Sequence, residues 1–160
     1  MTNQTKPKAD TLSKNLLRIA AVLWVMWGLV HVLAGYFTIS KETPTAVAGI
    51  ADAVDPALLA MDYHAAVGAV INQHGFNLLW IGLVATICAV FVWQRKVLAV
   101  LLAALVAGLA DIGYFLFMDL GGHVHFVPGT VMTIICASAI LLSFTALLRI
   151  KKTNRESFNA

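Results

Sequence analysis

The stretch AAVGAVINQHGFNLLWIGLVATICAVFVW, Ala65–Trp93, contains no Asp, Glu, Lys or Arg. An apolar run of about 18 or more residues reads as a transmembrane helix, because about 20 residues cross the hydrocarbon core. Yet its first half carries Asn72, Gln73, His74 and Asn77. Such groups are costly against lipid and are placed there when they face a protein interior or a water-filled cavity. The segment therefore decides the fold and points to where the chemistry lies.

Three further runs have the same character: Leu16–Ile39, Val97–Met118 and Phe126–Ile150. Composition agrees, since 60% of the 160 residues are hydrophobic and only 12% are charged. A mean hydropathy of +0.84 puts the chain outside the soluble class. The expectation is one all-α integral membrane domain over residues 1–160. Short links at Gln94–Lys96 and around Gly121-Gly122 favour an up-down-up-down four-helix bundle. The first run, with Lys14 and Arg18 at its start, has the charge pattern of a signal peptide. It exceeds a typical h-region of about 7–15 residues and no clear A-x-A site follows, so it is expected to stay as an anchor.

The one long connection, Ser40 to His64, contains Thr43-Pro44 and Asp55-Pro56, each an N-cap followed by Pro. Val47, Ile50, Ala51, Val54 and Leu58 recur at helical spacing. A short amphipathic helix, lying on the outer membrane surface or capping the bundle, is expected within residues 44–63. The Asp55 cap alternatively begins a helix that runs unbroken into the second span.

Lys6, Lys8, Lys14 and Arg18 precede or open the first span, Arg95 and Lys96 join the second and third, and Arg149, Lys151, Lys152 and Arg155 close the last. Only Lys41 falls on the other side. Positive charge marks the cytoplasmic face, so both termini are expected there, in a bacterial inner membrane. The basic balance is topological and gives no argument for nucleic acid. Glu42, Asp52, Asp55, Asp62 and Asp119 fall on the outer side. Cys88 and Cys136 lie at different depths without a C-x-x-C, which excludes disulfide exchange and leaves inert thiols.

His31, His74 and Asp111 stand on three different spans. At about 1.5 Å rise per residue, all three sit roughly 10–14 Å below the outer boundary. His31 shares a face with Gly28 and Gly35, His74 with Asn77, and Asp111 with Gly108 and Tyr114; Gly68, Gly75 and Gly82 line one face of the second span. Small faces of this kind pack helices within lipid and also serve oligomer contacts. Two imidazoles and a carboxylate are a ligand set for Zn, Fe, Mn or Cu with open positions. His31 and His74 at equal depth also suit the axial positions of haem b, with the glycines making room for the macrocycle. The remaining readings are a proton or ion relay and a structural Asp111–His clasp.

A second outer cluster is His64, Asp119, His123 and His125, in which His-x-His alone is a weak metal signal. Trp93, Tyr36 and Tyr63 suit interfacial belts, and Asn72 and Gln73 suit contacts between helices. The expected function is an outward-opening site that holds a metal or redox cofactor and acts on or senses a quinone or lipid. The alternative is a relay in a transporter, or an accessory subunit of a larger complex. The expected partners are membrane lipid and further copies or subunits. The layout resembles many small four-helix membrane subunits, which carries little function.

Overall fold

The computed structural model describes residues 8–158, so Lys6 lies outside them. Four helices are long and apolar enough to cross a membrane, over Thr11–Ser40, Ala65–Trp93, Val97–Asp119 and Phe126–Glu156. Among the described residues every regular element is helical. The order is α1 (Lys8–Ser40), α2 (Thr43–Ile50), α3 (Pro56–Leu59), α4 (Ala65–Trp93), α5 (Val97–Tyr114) and α6 (Val131–Phe158). A π-helical turn, Phe115–Asp119, ends α5, and another, Phe126–Thr130, leads into α6. Such turns recur at functional sites. The helix α1 begins upstream of the apolar run because the polar residues before Leu16 include no helix breaker.

The connection after α1 differs from a single amphipathic helix. The stretch breaks after Ile50, and Asp55 starts a separate single turn, its carboxylate accepting from the Ala57 N–H at 2.9 Å. Leu58, placed on the apolar stripe by its spacing, is 74% exposed. No helix runs from Asp55 into the second span. His64 caps α4 separately, its Nδ1 accepting from the Ala66 N–H at 3.1 Å.

The helix α1 packs on α4 and α6, and α5 packs on the same two. The interior is built largely from small side chains: Ala20, Ala21, Ala85, Ala89, Ala103, Ala107, Ala139 and Ala146 are buried, while Leu98, Leu141 and Phe117 point outward. This suits a lipid setting, where close approach of backbones replaces the hydrophobic drive. Between α1 and α4 the approach is tightest. A Cβ on Gly28 would lie 2.6 Å from the Gly82 carbonyl oxygen, and one on Gly35 would meet the Gly75 carbonyl and lie 2.6 Å from the Leu79 nitrogen. Gly28 thus answers Gly82, and Gly35, seven residues on, answers Gly75, seven residues back. The two helices run antiparallel. At the far end of the pair, the Arg18 guanidinium sits 5.1 Å from the centre of the Trp93 ring. Arg95, in the left-handed region at φ 63°, turns the chain from α4 into α5.

Candidate functional site

At the end of the molecule that carries α2, a cavity of about 410 Å³ opens among the helices. The upper turns of α1 give it Val30, His31, Ala34, Phe37 and Thr38; α4 gives His74 and Leu78; α5 gives Asp111 and Tyr114. Pro128, Gly129 and Met132 close the α6 side, and Ala46, Gly49 and Ile50 of α2 cover the top, with Lys41 and Asp52 beside them. His31, His74 and Asp111 therefore line one space. The size is that of a small-molecule site, with apolar walls and few polar groups.

The helix register changes the expected common depth. With Thr38 and Ile39 against Gly75, His74 stands near the level of Thr38, about seven residues above His31, a step of roughly 10 Å at about 1.5 Å per residue. Asp111 is the lowest of the three. Its Oδ1 accepts from the Trp27 indole N–H at 3.0 Å, one helical turn below His31. The three groups form a ladder rather than a ring.

Asp111 is 6% exposed, so its partners matter. Besides Trp27, the Cys136 thiol lies beside it, where both border one groove. No Asp111–His ion pair exists among the described residues; the clasp predicted for a histidine is made by tryptophan. His31 stacks on the Trp27 ring, with centroids 3.6 Å apart and planes 21° from parallel. Its Nδ1 lies 2.8 Å from the Trp27 carbonyl oxygen. A carbonyl only accepts, so Nδ1 carries the proton and the neutral ring keeps its lone pair on Nε2. His74 is exposed toward the cavity and makes no side-chain hydrogen bond among the described residues.

These arrangements bear on the cofactor readings. A metal centre needs ligands converging at about 2.0–2.3 Å. Among the described residues no three His, Cys, Asp or Glu side chains gather in that way. The bis-histidine haem reading needs both imidazoles at one level and room beside the glycines. The histidines are offset, and Gly28, Gly35 and Gly75 are spent on the contact between α1 and α4. Neither reading draws support from the positions of these residues.

The outer cluster is also dispersed. Asp119 accepts from the hydroxyls of Thr130 at 2.6 Å and Thr133 at 2.9 Å, which ties the two π-helical turns together. His64 is occupied as a cap. His123 and His125 contribute backbone groups: the His125 N–H donates to Asp52 Oδ1 at 2.7 Å, and the His123 carbonyl accepts from the Ala53 N–H at 3.1 Å. These two bonds fasten the segment after α2 across the top of the cavity. Asn77 does not support His74. Its Oδ1 accepts from the Trp80 indole N–H at 3.1 Å.

Trp27, Thr38, Lys41 and Asp52 belong to the site without a sequence signal that sets them apart. The chain matches no protein-family model, and no characterised protein or solved structure matches it.

Proposed function

We propose that this is a multi-pass inner-membrane protein that binds the neutral headgroup of a lipophilic molecule, best an isoprenoid quinone or quinol, in the cavity beneath α2. In this reading the four long helices form an up-down-up-down bundle. The α2 end faces outward, and both termini are cytoplasmic, next to Arg95, Lys96 and Lys152. The observation that carries the reading is the lining of the cavity. Its walls are apolar, and its polar groups, His31, His74, Asp111, Tyr114, Lys41, Asp52, Thr38 and Thr45, include two carboxylates and a single lysine. A phosphate headgroup would meet both carboxylates, which argues against a phospholipid. A quinone ring carries two carbonyl oxygens and no charge. His31 Nε2 accepts from a quinol hydroxyl, while His74 and Tyr114 supply donors to a quinone.

A relay across the whole membrane is less well supported. Below Asp111 the buried polar groups among the described residues are the hydroxyls of Ser13 and Ser143, the Trp24 indole and the Cys88 thiol, with no carboxylate or imidazole to pass a proton on. The ladder serves proton exchange only between the site and the outer face.

Titration of the purified protein in nanodiscs with decylubiquinone and its quinol tests the proposal. One saturable site per chain is expected, weakened at least tenfold by His74→Leu. Non-saturable partitioning, identical in wild type and variant, would reject it.

A further inference from the structure

Asp111 borders a second space. A groove of about 280 Å³ runs down the outer side of α5 and α6, lined by Ala104, Leu105, Gly108, Ile112 and Ala137, and it reaches Asp111 and Cys136. We infer that this groove seats the hydrocarbon tail of the ligand whose head occupies the cavity, so that the ligand enters and leaves between α5 and α6. The inference rests on the proposed headgroup site.

Three observations select this face. The groove and the cavity share Asp111, so a chain lying in the groove points its head at the polar ladder. The groove is walled almost wholly by hydrocarbon, and it opens on a helix surface whose neighbouring residues Leu105, Leu109 and Ile112 are exposed. On the opposite side α1 and α4 are shut, because Gly28, Gly35, Gly75 and Gly82 bring backbone against backbone and leave no passage. The gap between α5 and α6 is bordered instead by side chains that can move. A Cβ at Gly108 would meet only the tip of Ile140, at 3.1 Å. An isoprenoid tail is slender, apolar and already in the lipid phase, so it leaves the bilayer for the groove without crossing water.

The test uses the full chain in nanodiscs doped with a phosphatidylcholine that carries a diazirine near the end of one acyl chain. Cross-links are mapped by mass spectrometry, with and without excess decylubiquinone. The buried residues Asp111 and Cys136 should label in the wild type, since a chain in the groove reaches them. Ala137→Phe, which adds bulk on an exposed position of the groove wall, should cut that labelling at least fivefold. Leu109→Ala, which widens it, should not. Labelling of Leu83 and Ile87 on the lipid face of α4 should not change. Protection by decylubiquinone would bind groove and headgroup site to one ligand. Labelling that Ala137→Phe abolishes but decylubiquinone leaves untouched would keep the groove as a hydrocarbon seat and overturn the quinone as its occupant. Absence of label at Asp111 and Cys136, or label unaffected by Ala137→Phe, would overturn the groove even if decylubiquinone saturates the cavity.

Discussion

The Trp27 indole N–H donates to Asp111 Oδ1 at 3.0 Å, joining α1 to α5 across the interior. Polar contacts between helices in lipid are worth only about 0.6 kcal/mol on average, because the separated helices find other partners. Stranding one partner is a different matter. A buried acceptor that loses its donor pays its desolvation, about 1–3 kcal/mol and more if charged. Trp24, the neighbouring buried indole, has no partner for its N–H among the described residues. Trp27→Phe should therefore lower stability by about 1–3 kcal/mol. Trp24→Phe, which removes a donor already unsatisfied, should cost clearly less. Adding Asp111→Leu to Trp27→Phe should recover part of the loss, since neither partner is then stranded. Melting temperatures of the four proteins in one detergent decide it; equal losses for the two tryptophans would remove the clasp.

The same indole fixes the state of His31. Stacked on Trp27 and bonded through Nδ1 to its carbonyl, the ring is held as the Nδ1–H tautomer with Nε2 toward the cavity. Nitrogen chemical shifts of selectively labelled histidine should show this tautomer at His31. Because neither histidine partners Asp111, His31→Leu and His74→Leu should each weaken quinone binding at least tenfold while the protein stays folded. A collapse in melting temperature for both would make them structural instead.

The glycines make a paired prediction. A Cβ at Gly35 runs into the α4 backbone, whereas one at Gly49 meets nothing within 4 Å. Gly35→Ala must push two helices apart and should cost about 1–3 kcal/mol, the usual price of overpacking. Gly49→Ala, inside α2, should be neutral or stabilising by up to about 1 kcal/mol, from the gain in helix propensity. Thermal unfolding of the two variants measures both. A harmless Gly35→Ala would show that the α1–α4 contact is looser than its geometry.

The four apolar runs are legible because hydrocarbon thickness imposes their length, and long helices lie over all of them. The polar ladder was legible only as residue types. Counting from helix ends gave His31 and His74 one depth, but register is set by Gly28–Gly82 and Gly35–Gly75, and that pairing is tertiary information. The glycines near His31 read equally well as room for a cofactor or as a seam, and only the facing backbone distinguishes them. Trp27 was invisible as a site residue: an indole in an apolar helix looks like core, and its partner lies 84 positions away. The break after Ile50 was obscured because Val54 and Leu58 continue the apolar spacing past the point where the helix ends.

Orientation is open to a direct measurement. Lys14, Arg18, Arg95, Lys96, Arg149, Lys151, Lys152 and Arg155 are set against Lys41 alone at the other end, and basic residues near span ends favour the cytoplasm. The contact of Arg18 with Trp93 shows that the start of α1 and the end of α4 share one level. His123→Cys lies in an exposed turn at the α2 end. Lys152→Cys sits on an exposed turn of α6, where it removes only a solvent-facing 3.9 Å pair with Glu156. Such exposed pairs contribute little, so both variants should fold as the wild type does. Cys88 and Cys136 are buried at 6% and 1% exposure and give a low background without being replaced. A membrane-impermeant maleimide applied to intact spheroplasts should label His123→Cys and spare Lys152→Cys until the cells are lysed. Labelling of both from the outside would mean an even number of crossings between them and would break the four-span reading. The reverse pattern would keep the four spans and turn the cavity toward the cytoplasm.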